Sequence, residues 1–77
     1  MKKVKDINWV ETNSGIIESY CLYVGKKILY IMFKRTYDVW AYEVDDETGK
    51  EFLKAESKGK YFLANIKPKA KATKIKE

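Results

Sequence analysis

The chain has 77 residues, of which 45% are hydrophobic and 14% aromatic, a composition typical of one small folded domain and not of a disordered segment. Its net charge of +5 is unevenly placed: residues 1–66 carry eleven Lys or Arg against ten Asp or Glu, whereas residues 67–77 carry five lysines against one acid. The apolar runs are too short to span a bilayer, and Cys21, the single cysteine, excludes an internal disulfide, so we expect a cytoplasmic protein without a membrane partner.

The N-terminal half is rich in residues that favour β-strands. Ile7 and Trp9 alternate with polar residues, so residues 1–11 are predicted to form an arm or a short extra strand. Three β-rich segments follow with short connections between them, at 15–24, 28–34 and 35–44. This order predicts an antiparallel meander of three strands, or of four if the N-terminal segment pairs.

Alternation along the strands divides their side chains between two faces. Trp40, Tyr42 and Val44 share one face of the third segment, and Val39 and Ala41 share the other. The second segment divides in the same way, into Leu29, Ile31 and Phe33 against Ile28, Tyr30 and Met32. Both faces are apolar, yet little helix is predicted to cover them, so we expect one face to be partly open and to carry aromatic side chains.

Helix signals begin after Val44. Asp45 or Asp46 is suited to cap a helix N-terminus, and Glu47 favours the dipole of its first turn. A capped helix explains these acids better than a catalytic carboxylate cluster does. Gly49 inside the helix costs about 1 kcal/mol relative to alanine, so the first turn is expected to fray.

A second short helix is predicted to follow a corner at Gly59 and to end before Pro68. Because Gly59 stands where a left-handed cap would fall, we predict a positive φ there. The side chains of Phe52 and Phe62 are predicted to pack on the strand face that carries Leu29, Ile31 and Phe33.

The stretch AESKGKYFLANIK, at residues 55–67, resembles the most distinctive part of the KTSC domain, a module named for its occurrence at the C-terminus of some lysyl-tRNA synthetases. TNSGI at 12–16 and WAY at 40–42 resemble two further family segments. The family's most characteristic positions fall on Ala55, Glu56, Ser57, Gly59, Lys60, Tyr61, Phe62 and Ile66.

The resemblance implies a small α+β domain over residues 12–66, with strands followed by helices, in bacteria and their phages. It leaves 1–11 as an arm and 67–77 as a basic tail, and it implies no settled biochemical function. This chain departs from the family's usual pattern in having Asp45–Asp46 after Val44, where proline is common, and Leu63 after Phe62, where asparagine is usual.

The residues needed for catalysis are scarce. Histidine is absent, the spacing of metal ligands is missing, and no glycine-rich phosphate loop occurs. Cys21 lies within a predicted strand, where we expect an ordinary buried thiol. We therefore expect no enzyme activity, no metal site and no cofactor.

Two binding functions remain open. The first is a nucleic-acid-binding accessory module that uses an aromatic sheet face and a lysine-rich tail. Its candidate residues are Trp40, Tyr42, Lys58, Lys60, Tyr61, Lys67, Lys69, Lys71, Lys74 and Lys76. The second is a protein-interaction module, such as a phage- or mobile-element-borne inhibitor of a host protein, with homodimerisation as a further option. Strand preference alone also explains the aromatics, and a lysine-rich end also serves solubility or guards a sheet edge.

Overall fold

The structure is a computed structural model that describes residues 8–12 and 14–75. Within this range, five antiparallel strands form one sheet, and each strand lies beside its neighbour in sequence. Two helical segments connect the fourth strand to the fifth. The elements are β1 (Val10–Glu11), β2 (Ile17–Tyr23), β3 (Ile28–Phe33), β4 (Val39–Glu43), α1 (Asp46–Lys54), α2 (Lys58–Tyr61) with a π-helical continuation at Phe62–Ile66, and β5 (Ala72–Ile75).

The predicted α+β class and the antiparallel meander are confirmed, because β2, β3 and β4 pair in chain order. The third strand begins later than predicted. The amide of Tyr37 donates to the carbonyl of Phe33 at 2.8 Å, and the amide of Phe33 donates to the carbonyl of Asp38 at 3.0 Å. These bonds close a hairpin loop in which Tyr37 has a φ of 59°, so residues 34–37 form the turn.

The sheet is wider than the predicted three or four strands, because the lysine-rich stretch after Pro68 contributes β5. The amides of Lys69 and Ala70 both donate to the carbonyl of Ile66, which turns the chain back towards the sheet. Ala72–Ile75 then pairs with β4 along its free edge. Strand pairing uses backbone groups, so the lysine side chains, which suggested a separate arm, do not prevent it.

The strand register places the large apolar side chains on two faces. On one face, which we call the covered face, Ile31 lies between Tyr20 and Trp40, and Leu29 lies opposite Tyr42. On the other, Tyr30 lies between Cys21 and Ala41. This division follows the alternation predicted from the sequence.

Helix α1 begins at the acidic cluster that was predicted to cap it. The Asp45 carboxylate accepts a hydrogen bond from the amide of Thr48 at 2.7 Å, and this bond lowers the pKa of Asp45. Gly49 closes the first turn by donating to the Asp45 carbonyl at 3.0 Å, contrary to the predicted fraying. Gly49 is buried against Leu22, so it serves close packing of α1 on the sheet.

Both helical segments pack on the covered face. Phe52, Phe62 and Ile66 are fully buried there with Leu29 and Ile31, as predicted for the two phenylalanines. The ring of Phe62 also makes edge-to-face contacts with Phe33 and Tyr42, at centroid distances of 5.7 and 5.0 Å. These contacts form the main core of the domain.

The prediction of a positive φ at Gly59 is wrong. Gly59 lies inside α2, and no glycine in the described part of the chain has a positive φ. Ser57 caps this helix by accepting from the amide of Lys60 at 3.3 Å, so the chain turns before Gly59 and not at it. A Cβ at Gly59 would instead overlap the hydroxyl of Ser14, so a glycine is required by close packing.

Candidate functional site

The aromatic sheet face predicted to bind carries Trp40 and Tyr42, and it is the covered face. Tyr42 is 4% exposed in the core against Phe62, and burial raises the pKa of its hydroxyl. Trp40 is half-buried and packs against the same core. The prediction of an open face is therefore wrong for Tyr42, which lies in the core beneath the helices, whereas Trp40 keeps partial exposure.

Lys58 has a structural position. Its ammonium group donates to the carbonyls of Leu53 and Ala55, at 3.2 and 3.3 Å, near the C-terminal end of α1. It also lies 5.8 Å from the ring centroid of Tyr20. These contacts join α1 to α2 and leave Lys58 less available to a phosphate than its sequence position suggested.

The neighbouring candidates Lys60 and Tyr61 differ in accessibility. Lys60 is exposed, whereas Tyr61 is half-buried with its ring 6.4 Å from that of Phe52. Burial raises the pKa of Tyr61, and the charges of three acidic residues of the α1 region raise it further. Tyr61 therefore helps to seal the core between the two helices.

The tail lysines meet the predicted aromatics at one position. Lys67, Lys69, Lys71 and Lys74 are all exposed, and Lys76 lies outside the described residues. Lys74 lies opposite Trp40 in the pairing of β5 with β4. Lys74 also pairs with Asp38 at 3.7 Å, which neutralises part of its charge.

The sheet surface opposite the helices is the stronger candidate. Its centre is formed by side chains that are each half-buried, and we call this surface the open face: Tyr23, Ile28, Tyr30, Met32 and Ala41. None of the five belongs to the core cluster on the covered face or to the partly buried side chains packed against it. The open face is therefore apolar without being part of the main core.

The geometry of the open face is that of a continuous patch. Tyr23 and Tyr30 meet edge to face with ring centroids 5.5 Å apart, and Cys21 and Val39 lie buried among the strands on the same side. The rim of the open face carries charges of both signs, because the side chains of Glu43 and Lys71 are exposed there. The two residues are neighbours, since the amide of Glu43 donates to the carbonyl of Lys71 at 3.0 Å. None of the open-face residues is charged, so the patch favours an apolar partner over a polyanion.

In the described part of the chain, no group of three or more His, Cys, Asp or Glu residues could hold a metal ion. None of the described helices is long and apolar enough to cross a membrane. The open face offers a partner apolar contact and aromatic stacking.

Alternation separated the two faces of each strand, and the binding role predicted for the face of Trp40 and Tyr42 stays a prediction. Alternation grouped Ile28, Tyr30 and Met32 on one face of β3, and the strand register adds Ala41 to them. A usable signal was the absence of charge from this set, because interface centres are depleted of charged residues. The sequence predicted the helix-covered face of β3 correctly, but alternation within each strand did not show that Trp40 and Tyr42 of β4 share that face.

Comparison with known proteins agrees with the resemblance noted in the sequence. The family model of the KTSC domain matches residues 13–69, which excludes β5. The fold is similar to the crystal structure of a KTSC domain protein from Yersinia pestis, with a TM-score of 0.80 and 27% sequence identity. That match covers 90% of this chain and 97% of the other. A comparison with curated proteins finds no match.

Proposed function

This chain belongs to the KTSC domain family, and we propose that it is a non-catalytic module that binds an apolar surface of another protein through the open face. The observation that carries this proposal is a sheet face lined by half-buried apolar and aromatic side chains, opposite the face that the helices use. Those side chains lie outside the core cluster of the covered face. Binding to another protein would explain why they are apolar.

The chemistry of the patch supports a protein over a nucleic acid. Aromatic residues and Met are enriched at the centres of protein interfaces, and the open face contains Tyr23, Tyr30 and Met32. Binding of single-stranded nucleic acid needs aromatic side chains combined with cations that follow the backbone. Here the aromatic patch carries no cation, and at its rim Lys71 is accompanied by Glu43.

The test compares the wild type with two variants, Tyr30→Gln and Met32→Gln, that make the open face polar while keeping side-chain length close. Leu63→Gln is the matched control, since Leu63 is 47% exposed on the helical side. Each protein is immobilised and exposed to a nuclease-treated lysate of the cells that produce it naturally. The proteins that it retains from the lysate are then identified. Circular dichroism checks that each variant is folded.

We expect one defined protein to be retained by the wild type and by Leu63→Gln, and to be lost with Tyr30→Gln and Met32→Gln. Retention that ignores both open-face substitutions would overturn the proposal. Light scattering during size-exclusion chromatography separates self-association, because a dimer that dissociates in Met32→Gln would identify a second copy of the chain as the partner.

The nucleic-acid alternative makes a different prediction. Oligonucleotide affinity would fall steeply with salt, and the double substitution Lys67→Gln/Lys69→Gln would flatten the slope of log affinity against log salt by about 1.4 to 1.8 units if both lysines contact phosphates. Substitution is a better probe than removing residues 67–77, because Ala72–Ile75 is a strand of the sheet. Such a result, with no effect of Met32→Gln, would replace the protein-binding proposal. The narrower hypothesis of a phage-borne inhibitor depends on the partner's identity and stays a prediction.

A further inference from the structure

The last strand, β5, buries little side-chain surface where it joins the sheet. Ala72, Thr73 and Lys74 are exposed, and Ile75 is half-buried. None of these four residues belongs to the core cluster or to the side chains packed against it. Separation of β5 from the sheet therefore exposes little apolar surface. This property is typical of a segment that opens locally while the rest of its domain stays folded.

The side chains of β5 nevertheless match those of β4 in size and polarity. Residues directly opposite each other in an antiparallel pair have their side chains on the same face of the sheet. Ile75 lies opposite Val39, which is buried, so the aliphatic residue of β5 meets an aliphatic residue of β4. Ala72 lies opposite Tyr42, so a small residue stands beside a bulky one. The pairing of the two strands is therefore selective at the level of side chains.

Charge also matches at both ends of this pairing. At one end, the ammonium group of Lys74 lies 3.7 Å from the carboxylate of Asp38, and this is the one ion pair that the described residues form. At the other end, the amide of Glu43 donates to the carbonyl of Lys71 at 3.0 Å, which places an exposed acid beside an exposed lysine. The β4 edge thus has an acid at each end, and β5 brings a lysine to each. Opposite charges on neighbouring strands stabilise their pairing.

From these matches we infer that β5 is an exchangeable ligand of the β4 edge, and that this edge binds an extended basic segment of another protein when β5 detaches. The segment has the pattern of residues 71–75, which is a lysine, two short residues, a second lysine and an aliphatic residue. Backbone bonds to a free strand edge supply affinity, and alternate side chains supply specificity. Because β5 is part of the same chain, its high local concentration makes it a competitor of that segment. The inference does not depend on the proposed role of the open face.

The first experiment measures native-state hydrogen exchange of the full chain by NMR. Successive residues of a central antiparallel strand bond to opposite neighbours. The amide of Glu43 bonds to the residue before β5, so the amide of Ala41 also points to β5. The amides of Trp40 and Tyr42 point to β3 and are the internal control. After correction for intrinsic rates, we expect Ala41 and Glu43 to exchange at least about tenfold faster than the control pair. Equal exchange of the two pairs would overturn the inference, because β5 would then open only with the rest of the sheet.

A charge reversal tests whether the end charges hold β5 in place. Lys74→Glu places an acid beside Asp38 and should raise the exchange rates of Ala41 and Glu43 about two- to tenfold. Lys69→Glu makes the same charge change at an exposed position before β5 and is the matched control. Adding Asp38→Lys to Lys74→Glu should restore the wild-type rates, because it rebuilds an opposite-charge pair. An increase that Lys69→Glu reproduces, or that Asp38→Lys fails to reverse, would overturn the inference.

The second experiment supplies the basic segment as a separate molecule. The probe is a capped peptide with the sequence of residues 70–75, and the control peptide has both lysines replaced by glutamate. Each peptide is titrated into the ¹⁵N-labelled Lys74→Glu chain, in which β5 competes less strongly. We expect the basic peptide, and not the acidic one, to shift the amides of residues 39–43 at millimolar concentrations. In the wild type the same peptide should bind about two- to tenfold more weakly, because β5 holds the edge more tightly there.

Two outcomes of the titration count against the inference. Equal shifts with the basic and the acidic peptide, or no shift with either, would overturn it. Without peptide, protection of Ala41 and Glu43 that rises with protein concentration would overturn the choice of another protein as the source of the segment. That result would identify β5 of a second copy of the chain as the occupant of the β4 edge.

Discussion

The two faces of the sheet are built from similar residues but differ in how deeply those residues are buried. On the covered face, Leu29 and Ile31 are fully buried beneath Phe52 and Phe62. On the open face the central side chains are half-buried, although they are as apolar as those across the sheet. Apolar character alone does not identify a core. Whether a face stabilises the fold or is available to a partner depends on whether another element covers it.

The largest effect should come from Phe62→Ala on the covered face. Phe62 is fully buried and its ring contacts Phe33 and Tyr42, so the substitution leaves a cavity at the centre of the core. We expect the free energy of unfolding to fall by about 3–5 kcal/mol in chemical denaturation, which is enough to unfold a small domain. The control is Leu63→Ala, the exposed neighbour, with an expected loss within about 0.5 kcal/mol. Equal losses for both would refute the assignment of the core.

The second prediction contrasts two adjacent residues of β3. Ile31 is fully buried on the covered face, and Met32 is half-buried on the opposite side. Ile31→Ala should therefore cost about 2–5 kcal/mol, and Met32→Ala about 1 kcal/mol or less, in urea denaturation. If Met32→Ala costs as much as Ile31→Ala, the open face is a second core and is not free to bind.

The third prediction concerns the contact between α2 and the turn before β2. Gly59→Ala places a methyl group on the Ser14 hydroxyl, which itself accepts two backbone hydrogen bonds, so we expect a loss of about 1–3 kcal/mol. In a Ser14→Ala background the same change should cost less, because the obstructing oxygen is gone. Gly25→Ala is the control, since nothing lies within 4 Å of a Cβ there. A cost at Gly59 that does not change when Ser14 is substituted would contradict the steric explanation.

The smallest effect is expected at the N-terminus of α1, away from both faces. Asp45→Ala removes the carboxylate that accepts the hydrogen bond from the Thr48 amide, and it should lower the free energy of unfolding at neutral pH by less than the other substitutions do. The folded state lowers the pKa of Asp45, so its stabilisation is fully present above the unfolded pKa and is lost as pH falls through the folded value. The difference between wild type and Asp45→Ala should thus shrink below about pH 4. A difference that stays constant from pH 7 to pH 2 would show that the carboxylate charge is not involved, and Asp46→Ala serves as the control.

Much of the local structure was readable because it depends on neighbouring residues. The period of two along β3 predicted which side chains share a face. The acidic residues before an amphipathic segment predicted a cap at Asp45 or Asp46, and Asp45 forms it. The prediction at Gly59 failed because Ser57 supplies the cap, and only the tertiary contact with Ser14 explains the glycine.

By itself, the sequence determined the α+β class, the meander, the pairing of Phe52 and Phe62 with Leu29 and Ile31, and the family motif. Tertiary structure alone decided that Trp40 and Tyr42 lie on the face that the helices cover, that the lysine-rich stretch returns as β5, and that Lys58 stabilises the corner between the helices. The physical reason is that alternation fixes only which side chains of one strand share a face. The register between strands and the pairing at the sheet edge depend on the path of the whole chain, which the pattern of a single strand does not encode.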